Sequence, residues 1–160
     1  MIIVFAGCDC SGKSTCVNMM DKSQWVIKKG VANSDLKKVI SSLDFKKDII
    51  YDRIPLIDDF VYSRVFSGKE SDFIKSKDEI IGLLKKCTVI YFDCANDVLI
   101  QRMKARGDKY ITPDQIPQIK SEYEKTFELL NVNPARIDTT HASKIEVLNK
   151  VIEVIENENC

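Results

Sequence analysis

Nine consecutive residues near the start of the chain have the types and the spacing of a phosphate-binding loop. Residues 7–15 read GCDCSGKST, in which Gly7 and Gly12 are separated by four residues and followed by a lysine and two hydroxyls. Glycines permit backbone geometries that other residues avoid, and successive N–H groups at a helix N-terminus concentrate positive potential on phosphate oxygens. The pattern GxxxxGK(S/T) therefore predicts that this loop holds the phosphates of a nucleotide.

The side chains in and after this loop have separable expected roles. Lys13 would bridge the β- and γ-phosphates, the Ser14 hydroxyl would be a ligand of Mg²⁺, and Thr15 would support the α-phosphate. Cys8 and Cys10 are only two residues apart and have no partner ligands nearby in the sequence. The stretch therefore favours a nucleotide over a metal held by thiols.

A second stretch, YDRIP at residues 51–55, places an acid and an arginine at the end of an apolar run. Asp52 could accept a hydroxyl proton or orient a water on Mg²⁺, and Arg53 offers a planar fork to an anionic acceptor. Ligands of open α/β sheets bind at the carboxyl ends of the strands. If the two stretches end neighbouring strands, their side chains lie at one site.

The elements that would position these residues follow from the hydrophobic pattern, because short β-rich runs alternate with stretches of helical period. Strands are predicted at residues 2–6, 25–29, 48–52, 87–93 and 135–140. Helices are predicted at residues 13–21, 34–43 with Ser34 as the cap, 56–66, 72–86, 96–106 with Asn96 as the cap, from Thr112 or Asp114 to about Leu130, and 143–156. Right-handed crossovers between these strands give a doubly wound five-stranded parallel sheet, an α/β fold.

Composition limits the classes of protein that fit. A chain of 160 residues with 44% hydrophobic content forms one sizeable core, so a single domain over residues 1–160 is expected. The 24 basic and 24 acidic residues cancel, which disfavours nucleic acid or an acidic membrane as a partner. The apolar start MIIVFAG is too short for a membrane span and has no basic flank, so a cytoplasmic location is expected. The six cysteines, at 8, 10, 16, 87, 94 and 160, show no zinc spacing and are expected to be reduced and mostly packed.

The phosphate loop alone does not separate kinases from GTPases and motor ATPases. The chain has neither an NKxD guanine motif nor a DxxG switch, since the NKV at residues 149–151 lacks the aspartate. The acid and arginine of YDRIP instead favour a kinase, because a switch protein has no need of an acceptor site.

Four stretches of this sequence carry a family resemblance: GCDCSGKST, YDRIP, YFDCANDVLIQRMKARGD and IDTTHAS. On these, over nearly its whole length, the chain resembles the thymidylate kinase-like group of P-loop nucleotide kinases, including small phage-type deoxynucleoside monophosphate kinases. More distantly it is similar to the deoxynucleoside kinases. The resemblance implies the P-loop NTPase (nucleotide kinase) fold, ATP as the phosphoryl donor and Mg²⁺ as the cofactor.

The resemblance also implies roles for single residues. Asp9 would reach the 3′-hydroxyl of the acceptor sugar, Asp52 and Arg53 would work at the acceptor phosphate, and Arg102 and Arg106 would be the arginines of a short lid at about residues 103–112. The expected catalytic residues are then Lys13, Asp52, Arg53 and Arg106, and the expected metal ligands are Ser14 and Asp52. The expected ATP-binding residues are Gly7, Cys8, Asp9, Cys10, Ser11, Gly12, Lys13, Ser14, Thr15, Arg102 and Arg106.

The chain departs from that family at two places. Some thymidylate kinases carry an arginine in the first loop where this chain has Cys10, so positive charge must come from Lys13, Mg²⁺ and the lid, whose cations are Arg106 and Lys109. The region from residue 56 to residue 73 is expected to hold the acceptor base, but its sequence does not indicate which base is preferred. Its candidates are Phe60, Tyr62, Arg64 and Phe66, and the acceptor-binding residues are predicted to be Asp9, Arg53, Phe60 and Arg64.

Several alternatives stay open at this point. The favoured reaction is transfer of the ATP γ-phosphoryl to a deoxynucleoside monophosphate, dTMP-like, because an aspartate followed by arginine suits an acceptor that already carries phosphate. The alternatives are a deoxynucleoside kinase acting on a 5′-hydroxyl and a slow or non-catalytic nucleotide-binding module. The partner is a small nucleotide or nucleoside, and a homodimer remains an option.

Residues that end the last two strands also have two interpretations each. Asp93 is either a magnesium ligand or the cap of the next helix. Thr139, Thr140 and Ser143 are either contacts to the edge of adenine or caps, and His141 is expected in an exposed loop.

Overall fold

The structure is a computed structural model that describes residues 1–30, 35–107 and 110–158. The predicted cap Ser34, part of the predicted lid with Lys109, and Cys160 lie outside these described residues. None of the helices in the described ranges is long and apolar enough to cross a membrane.

Within the described ranges, five parallel strands form one central sheet. They are β1 (Ile2–Ala6), β2 (Val26–Lys29), β3 (Ile49–Asp52), β4 (Thr88–Asp93) and β5 (Ala135–Asp138). Their order is β2-β3-β1-β4-β5, so the first strand of the chain is the middle strand of the sheet. This is the five-stranded parallel arrangement predicted from the sequence, and it brings the carboxyl ends of β1, β3 and β4 side by side.

The apolar run of β1 is continuous because helices cover both faces of the sheet. Ile2 and Val4 belong to one core cluster and Ile3 and Phe5 to the other, in keeping with the alternation of side chains along a strand. All five residues of β1 are buried. The strand therefore gives the loop that follows it a rigid base.

The part of the chain that the structure describes contains seven α-helices around the sheet. They are α1 (Lys13–Met19), α2 (Leu36–Ser41), α3 (Pro55–Ser67), α4 (Lys77–Leu84), α5 (Asn96–Arg106), α6 (Gln115–Leu129) and α7 (Lys144–Glu158). Helices α3, α4, α5 and α6 contribute to one core cluster, and α1 and α7 contribute to the other. The doubly wound architecture is confirmed.

Several predicted helix boundaries differ from the structure, and three of these differences concern a cap or a break. The helix predicted at residues 72–86 is a 3₁₀ helix (Asp72–Ser76) followed by α4, because Ser71 caps a separate first turn and Ser76 leaves helical geometry at φ −110°. Asn96 is the first residue of α5, and the cap residue is Ala95. Asp35, whose side chain accepts from the backbone N–H of Lys38, caps α2.

Candidate active site

The loop between β1 and α1 forms a compact cradle at the carboxyl edge of the sheet. Gly7 has φ 139°, and a Cβ built there would lie 2.7 Å from the carbonyl oxygen of Phe92 on β4. Gly12, at φ 101°, precedes the first turn of α1. Both glycines are therefore required by backbone geometry, as the sequence pattern indicates. Cys10 also has a positive φ, of 62°, which is strained for a residue with a Cβ.

Lys13 folds back over this cradle. Its Nζ donates to the carbonyl oxygens of Gly7 and Cys8, each at 2.7 Å, and the residue is buried. Burial, with the positive charge of Arg53, lowers the pKa of Lys13 to about 8. Among the described residues no carboxylate forms an ion pair with this ammonium group, so added negative charge would stabilise it.

Ser14 and Asp52 meet between α1 and the end of β3. The Ser14 hydroxyl donates to Asp52 Oδ2 at 2.7 Å, while Asp52 Oδ1 is buried and has no hydrogen-bond partner among the described residues. A hydroxyl and an orphaned carboxylate oxygen are the hard ligands that Mg²⁺ takes from proteins. No group of three metal-binding side chains occurs in the described ranges. Two protein ligands fit Mg²⁺, which usually keeps waters and nucleotide phosphates in its other positions.

Arg53 turns the chain out of β3 and points its guanidinium at the phosphate-binding loop. Its φ is 72°, a left-handed value, and its N–H donates to the carbonyl oxygen of Phe5 at 3.1 Å. The guanidinium forms an ion pair with Asp9 and donates to the Tyr62 hydroxyl at 3.1 Å, and that hydroxyl donates to Asp9 Oδ2 at 3.0 Å. Burial would raise the pKa of Asp9, but the charge and hydrogen bond of Arg53 hold it below its ordinary value.

A cavity of about 650 Å³ opens on this triangle of Asp9, Arg53 and Tyr62. Asp58 lines it from the first turn of α3 and accepts a hydrogen bond from the Tyr123 hydroxyl at 2.6 Å. Burial raises the pKa of Asp58 above its ordinary value. The other lining residues are Gly30, Pro55, Asp59, Ser63, Phe66, Ser67, Arg106, Tyr110 and Ile111. We call this space the acceptor cavity.

Two smaller cavities continue from it along the loop. One, of about 340 Å³, is lined by residues of the loop together with Arg53, Arg102 and Arg106, and we call it the phosphate cavity. The other, of about 330 Å³, is lined on its far side by Thr139, Ser143 and other residues after β5 and at the start of α7, and we call it the base cavity. The acceptor and phosphate cavities share Asp9, Arg53 and Arg106, so the three spaces follow one another along the carboxyl edge of the sheet.

Arg102 joins the loop to the chain after β5. It donates to the carbonyl oxygen of Thr139 at 2.8 Å and makes longer contacts with the carbonyl oxygens of Thr140 and Cys10. The Thr139 hydroxyl in turn donates toward the Ser11 carbonyl oxygen at 2.9 Å. Arg102 therefore braces the wall between the phosphate and base cavities.

Two of the predicted acceptor-binding residues do not reach the acceptor cavity. Phe60 is buried in the core at 1% exposure, and Arg64 pairs with Glu122 and Glu70 at 3.3 and 3.4 Å. Tyr62 and Phe66 line the cavity instead, with ring centroids 5.5 Å apart. The reason is helical geometry, because residues four apart share a face of α3 and Phe60 lies on the face that packs on the sheet.

The residues that end β4 and β5 take structural positions. Asp93 accepts from Lys120 Nζ at 2.8 Å and from the Cys94 N–H at 2.8 Å, and it does not cap α5. The Thr140 hydroxyl accepts from the Ala95 N–H, and Ser143 exchanges hydrogen bonds with Glu146 at the start of α7. Ser143 also lines the base cavity, so for this residue both interpretations hold.

The described cysteines are free, and burial raises the pKa of Cys8 to about 11.

Sequence reasoning missed Asp58 and Gly30 as residues of the acceptor cavity. A signal for Asp58 exists, since Pro55, Asp58, Asp59 and Tyr62 have helical spacing and follow YDR directly. No local signal marks Gly30, which reaches the site only because β2 pairs with β3.

Comparisons with known proteins support the fold. No protein-family model matches the sequence. The chain is 27% identical over 166 residues to the SPbeta prophage-derived uncharacterized protein YorR of Bacillus subtilis (strain 168), covering 97% of this chain and 99% of YorR. The crystal structure of YorR in complex with phosphorylated GDP superposes with a TM-score of 0.80 at 24% identity, covering 99% of this chain and 98% of that one.

Solved structures of two kinases also share the fold. Deoxyadenosine kinase from M. mycoides with bound dCTP has a TM-score of 0.64 at 18% identity, over 98% of this chain and all of that chain. Thymidylate kinase from Candida albicans has a TM-score of 0.58 at 14% identity, over 99% of this chain and 92% of that chain. The chain thus has the P-loop nucleotide kinase fold over its whole length.

Proposed function

We propose that this protein transfers the γ-phosphoryl group of ATP to a deoxynucleoside monophosphate, with Mg²⁺ as its cofactor. The observation that carries the proposal is the shared boundary of two cavities. Asp9, Arg53 and Arg106 line both the phosphate cavity and the acceptor cavity, so a phosphoryl group held on one side faces an acceptor on the other. A protein that only binds or hydrolyses a nucleotide has no need of the second cavity.

The residues of the phosphate cavity have the chemistry to hold and activate the donor. Lys13 would exchange its two carbonyl partners for phosphate oxygens, and its charge would then stabilise the negative charge that develops on the transferred group. Ser14 and Asp52 would hold Mg²⁺, which neutralises phosphate charge when bound. Arg106 adds a second cation at the boundary. The base cavity, bounded by Thr139 and Ser143, would receive adenine.

The acceptor cavity has groups for each part of a monophosphate. Arg53 presents a planar fork that can hold two phosphate oxygens, and Asp9 would accept the hydrogen bond of a sugar hydroxyl. Tyr62 and Phe66 give the base an aromatic surface. Crystals of YorR in complex with phosphorylated GDP support a nucleotide as ligand. A dTMP-like acceptor is one member of the proposed class, and the base remains to be determined by assay.

A second candidate function, phosphorylation of a nucleoside 5′-hydroxyl, is favoured by a separate observation. The acceptor cavity carries the carboxyl groups of Asp9, Asp58 and Asp59 against the guanidinium groups of Arg53 and Arg106. The Arg53 fork is moreover already bonded to Asp9 and Tyr62. An uncharged acceptor would not have to displace Asp9 and Tyr62 from the Arg53 guanidinium. The resemblance in fold to deoxyadenosine kinase supports the same alternative.

The experiment is a coupled assay of ATP consumption on the four deoxynucleosides and their monophosphates, run on the wild type and on Arg53→Lys. We expect turnover of a monophosphate, and we expect Arg53→Lys to weaken its KM by about 1.5–3 kcal/mol, the range for hydrogen bonds to charged groups. That is roughly 10- to 150-fold in concentration. The KM for ATP should barely change.

Arg64→Lys is the matched control, because Arg64 lies on α3 beside the cavity but pairs with Glu122 and Glu70 outside it. It should leave both KM values near those of the wild type. Faster turnover of nucleosides, indifferent to Arg53→Lys, would establish the second candidate. Absence of transfer to every acceptor would leave a slow nucleotide-binding module.

A further inference from the structure

Gly30 lies at the point where β2 passes closest to the bend that carries Arg53. It directly follows Lys29, the last residue of β2, and its N–H donates to the carbonyl oxygen of Asp52 at 3.2 Å. It also lines the acceptor cavity. Gly30 is therefore in contact with the backbone of the acid-arginine pair, although Asp52 comes 22 positions later in the chain.

No side chain fits at position 30. A Cβ built there would lie 2.8 Å from the carbonyl oxygen of Arg53, 3.1 Å from its carbonyl carbon and 3.3 Å from Cδ of Pro55. The nearest atoms belong to the backbone and to a proline ring, which cannot rotate away as the end of a flexible side chain can. A Cβ could be accommodated only by moving the backbone at Gly30 or at Arg53.

The backbone at Arg53 is held in an unfavourable conformation by its surroundings. Its φ of 72° costs energy for a residue with a Cβ, and such residues persist only where neighbouring structure fixes them. On one side the Arg53 N–H donates to Phe5 of β1, and on the other the carbonyl group packs on Gly30. Pro55, the first residue of α3, limits movement beyond the bend.

We propose that Gly30 is a positioning residue for acceptor binding, since its missing side chain lets β2 support the strained backbone that aims the Arg53 guanidinium at Asp9 and Tyr62. This rests on the proposed function in that Arg53 is taken to bind the acceptor. Gly30 itself supplies no group to the reaction. Its effect on catalysis passes through the position of Arg53.

The test is Gly30→Ala, with Gly82→Ala as the control. Gly82 lies in α4, where a built Cβ meets no atom within 4 Å, so the same chemical change there is free of contact. We expect Gly30→Ala to raise the acceptor KM by about tenfold or more while the ATP KM stays within about twofold, the pattern of a lost acceptor contact. Gly82→Ala should change neither.

A second comparison tests whether the effect passes through Arg53. In an Arg53→Ala background, adding Gly30→Ala should change the acceptor KM little, because the group that Gly30 positions is already gone. An equal penalty in both backgrounds, or equal losses for ATP and acceptor, would overturn the proposal in favour of a general structural defect. If Gly30→Ala does not fold, the double variant Gly30→Ala/Pro55→Ala is compared with the single variant Pro55→Ala instead. Losing Cδ of residue 55 removes one of the three contacts with the added Cβ and frees the start of α3.

A structural readout separates this inference from the proposed function. In crystals of Gly30→Ala we expect the Arg53 guanidinium to have left Asp9, and in crystals of Gly82→Ala we expect the pair to be intact. An unmoved Arg53 in Gly30→Ala overturns the inference whatever the protein phosphorylates. A wild type that transfers phosphate to none of the eight acceptors overturns the proposed function, and the position of Arg53 in the two variants still decides the role of Gly30.

Discussion

Lys13 combines burial with a charge, and this makes its contribution to stability depend on pH. Its pKa in the folded protein is about 8, against 10.5 for an unperturbed lysine. The folded state therefore holds the proton less tightly than the unfolded state, and the energetic cost of the buried charge is fully present below pH 8. The cost falls as the pH rises from 8 to 10.5, because the group loses its charge in the folded state first.

Lys13→Met tests both roles of this residue. We expect kcat to fall by roughly 100-fold or more, since a cation next to the transferred phosphoryl is lost. We also expect the Tm of the variant relative to the wild type to decrease steadily between pH 8 and 10.5 in thermal scans. A constant Tm difference across that range would show that the lysine is not desolvated, and near-normal turnover would contradict the assignment of the loop.

Asp58 is a carboxyl group of the acceptor cavity whose pKa is raised by burial. Its pKa in the folded protein is raised, so the folded state binds the proton more tightly and stability falls as the pH rises above the ordinary value of 3.8. Asparagine keeps the oxygen that accepts from Tyr123 and removes the charge. We expect Asp58→Asn to raise the Tm at pH 7 by about 2–4 °C, the shift that 1 kcal/mol gives in a chain of this size.

The control for this prediction is the same pair of proteins at low pH. Near pH 3.5 the Tm difference between Asp58→Asn and the wild type should be smaller than at pH 7, because protonation removes the charge from the wild type as well. A difference that grows toward low pH would have the wrong sign for a raised pKa. The rate of acceptor turnover by Asp58→Asn measures the activity that is lost with this carboxylate.

At the scale of elements, helix α5 carries two arginines one turn apart with different surroundings. Arg102 donates to carbonyl groups that border the base cavity, whereas Arg106, at the end of the helix, lines the phosphate and acceptor cavities. We expect Arg102→Ala to raise the KM for ATP by about tenfold, the cost of one charged hydrogen bond to a carbonyl, with the acceptor KM unchanged.

Arg106→Ala is expected to act on a different kinetic constant. It should lower kcat more than it raises the KM for ATP, because a cation at the boundary of two cavities interacts most strongly as the phosphoryl group separates. Steady-state kinetics of the two variants with both substrates varied give the comparison. Identical kinetic patterns would mean that the helix places both arginines at the same part of the site.

Elements with a local sequence signal could be predicted, whereas features that depend on packing could not. The phosphate loop, β1 and β4 were predictable because glycine spacing and continuous apolar runs need no knowledge of neighbours. The break between the 3₁₀ helix and α4 was not, because it depends on the cap at Ser71. Phe60 was assigned to the acceptor site because its helical face could not be known before α3 was docked on the sheet. Gly30 was missed since its partner is another strand.

Across the molecule, the three cavities adjoin one another, and the proposed function requires them to hold two nucleotides. A ligand that joins adenosine and a deoxynucleoside through five phosphates would span them. We expect it to raise the Tm more than ATP and the monophosphate together at equal concentration, because the second nucleotide then binds at a high effective concentration. A three-phosphate linker is the control and should raise the Tm less. Equal shifts for the two linkers would mean that the cavities are occupied independently.

The central place of β1 also governs the order in which the chain can fold. Ile3 pairs with Ile50 on one side and with Thr88 on the other, so β1 gains its neighbours only after long stretches of sequence have followed it. Parallel pairing at such separations is intrinsically slow, since the loops must close before any contact forms. On the ribosome the five apolar residues of this strand therefore stay without their second neighbour until Thr88 and the residues after it have been made. The strand that anchors the phosphate loop in the finished protein is thus, during synthesis, an apolar segment that is exposed to aggregation.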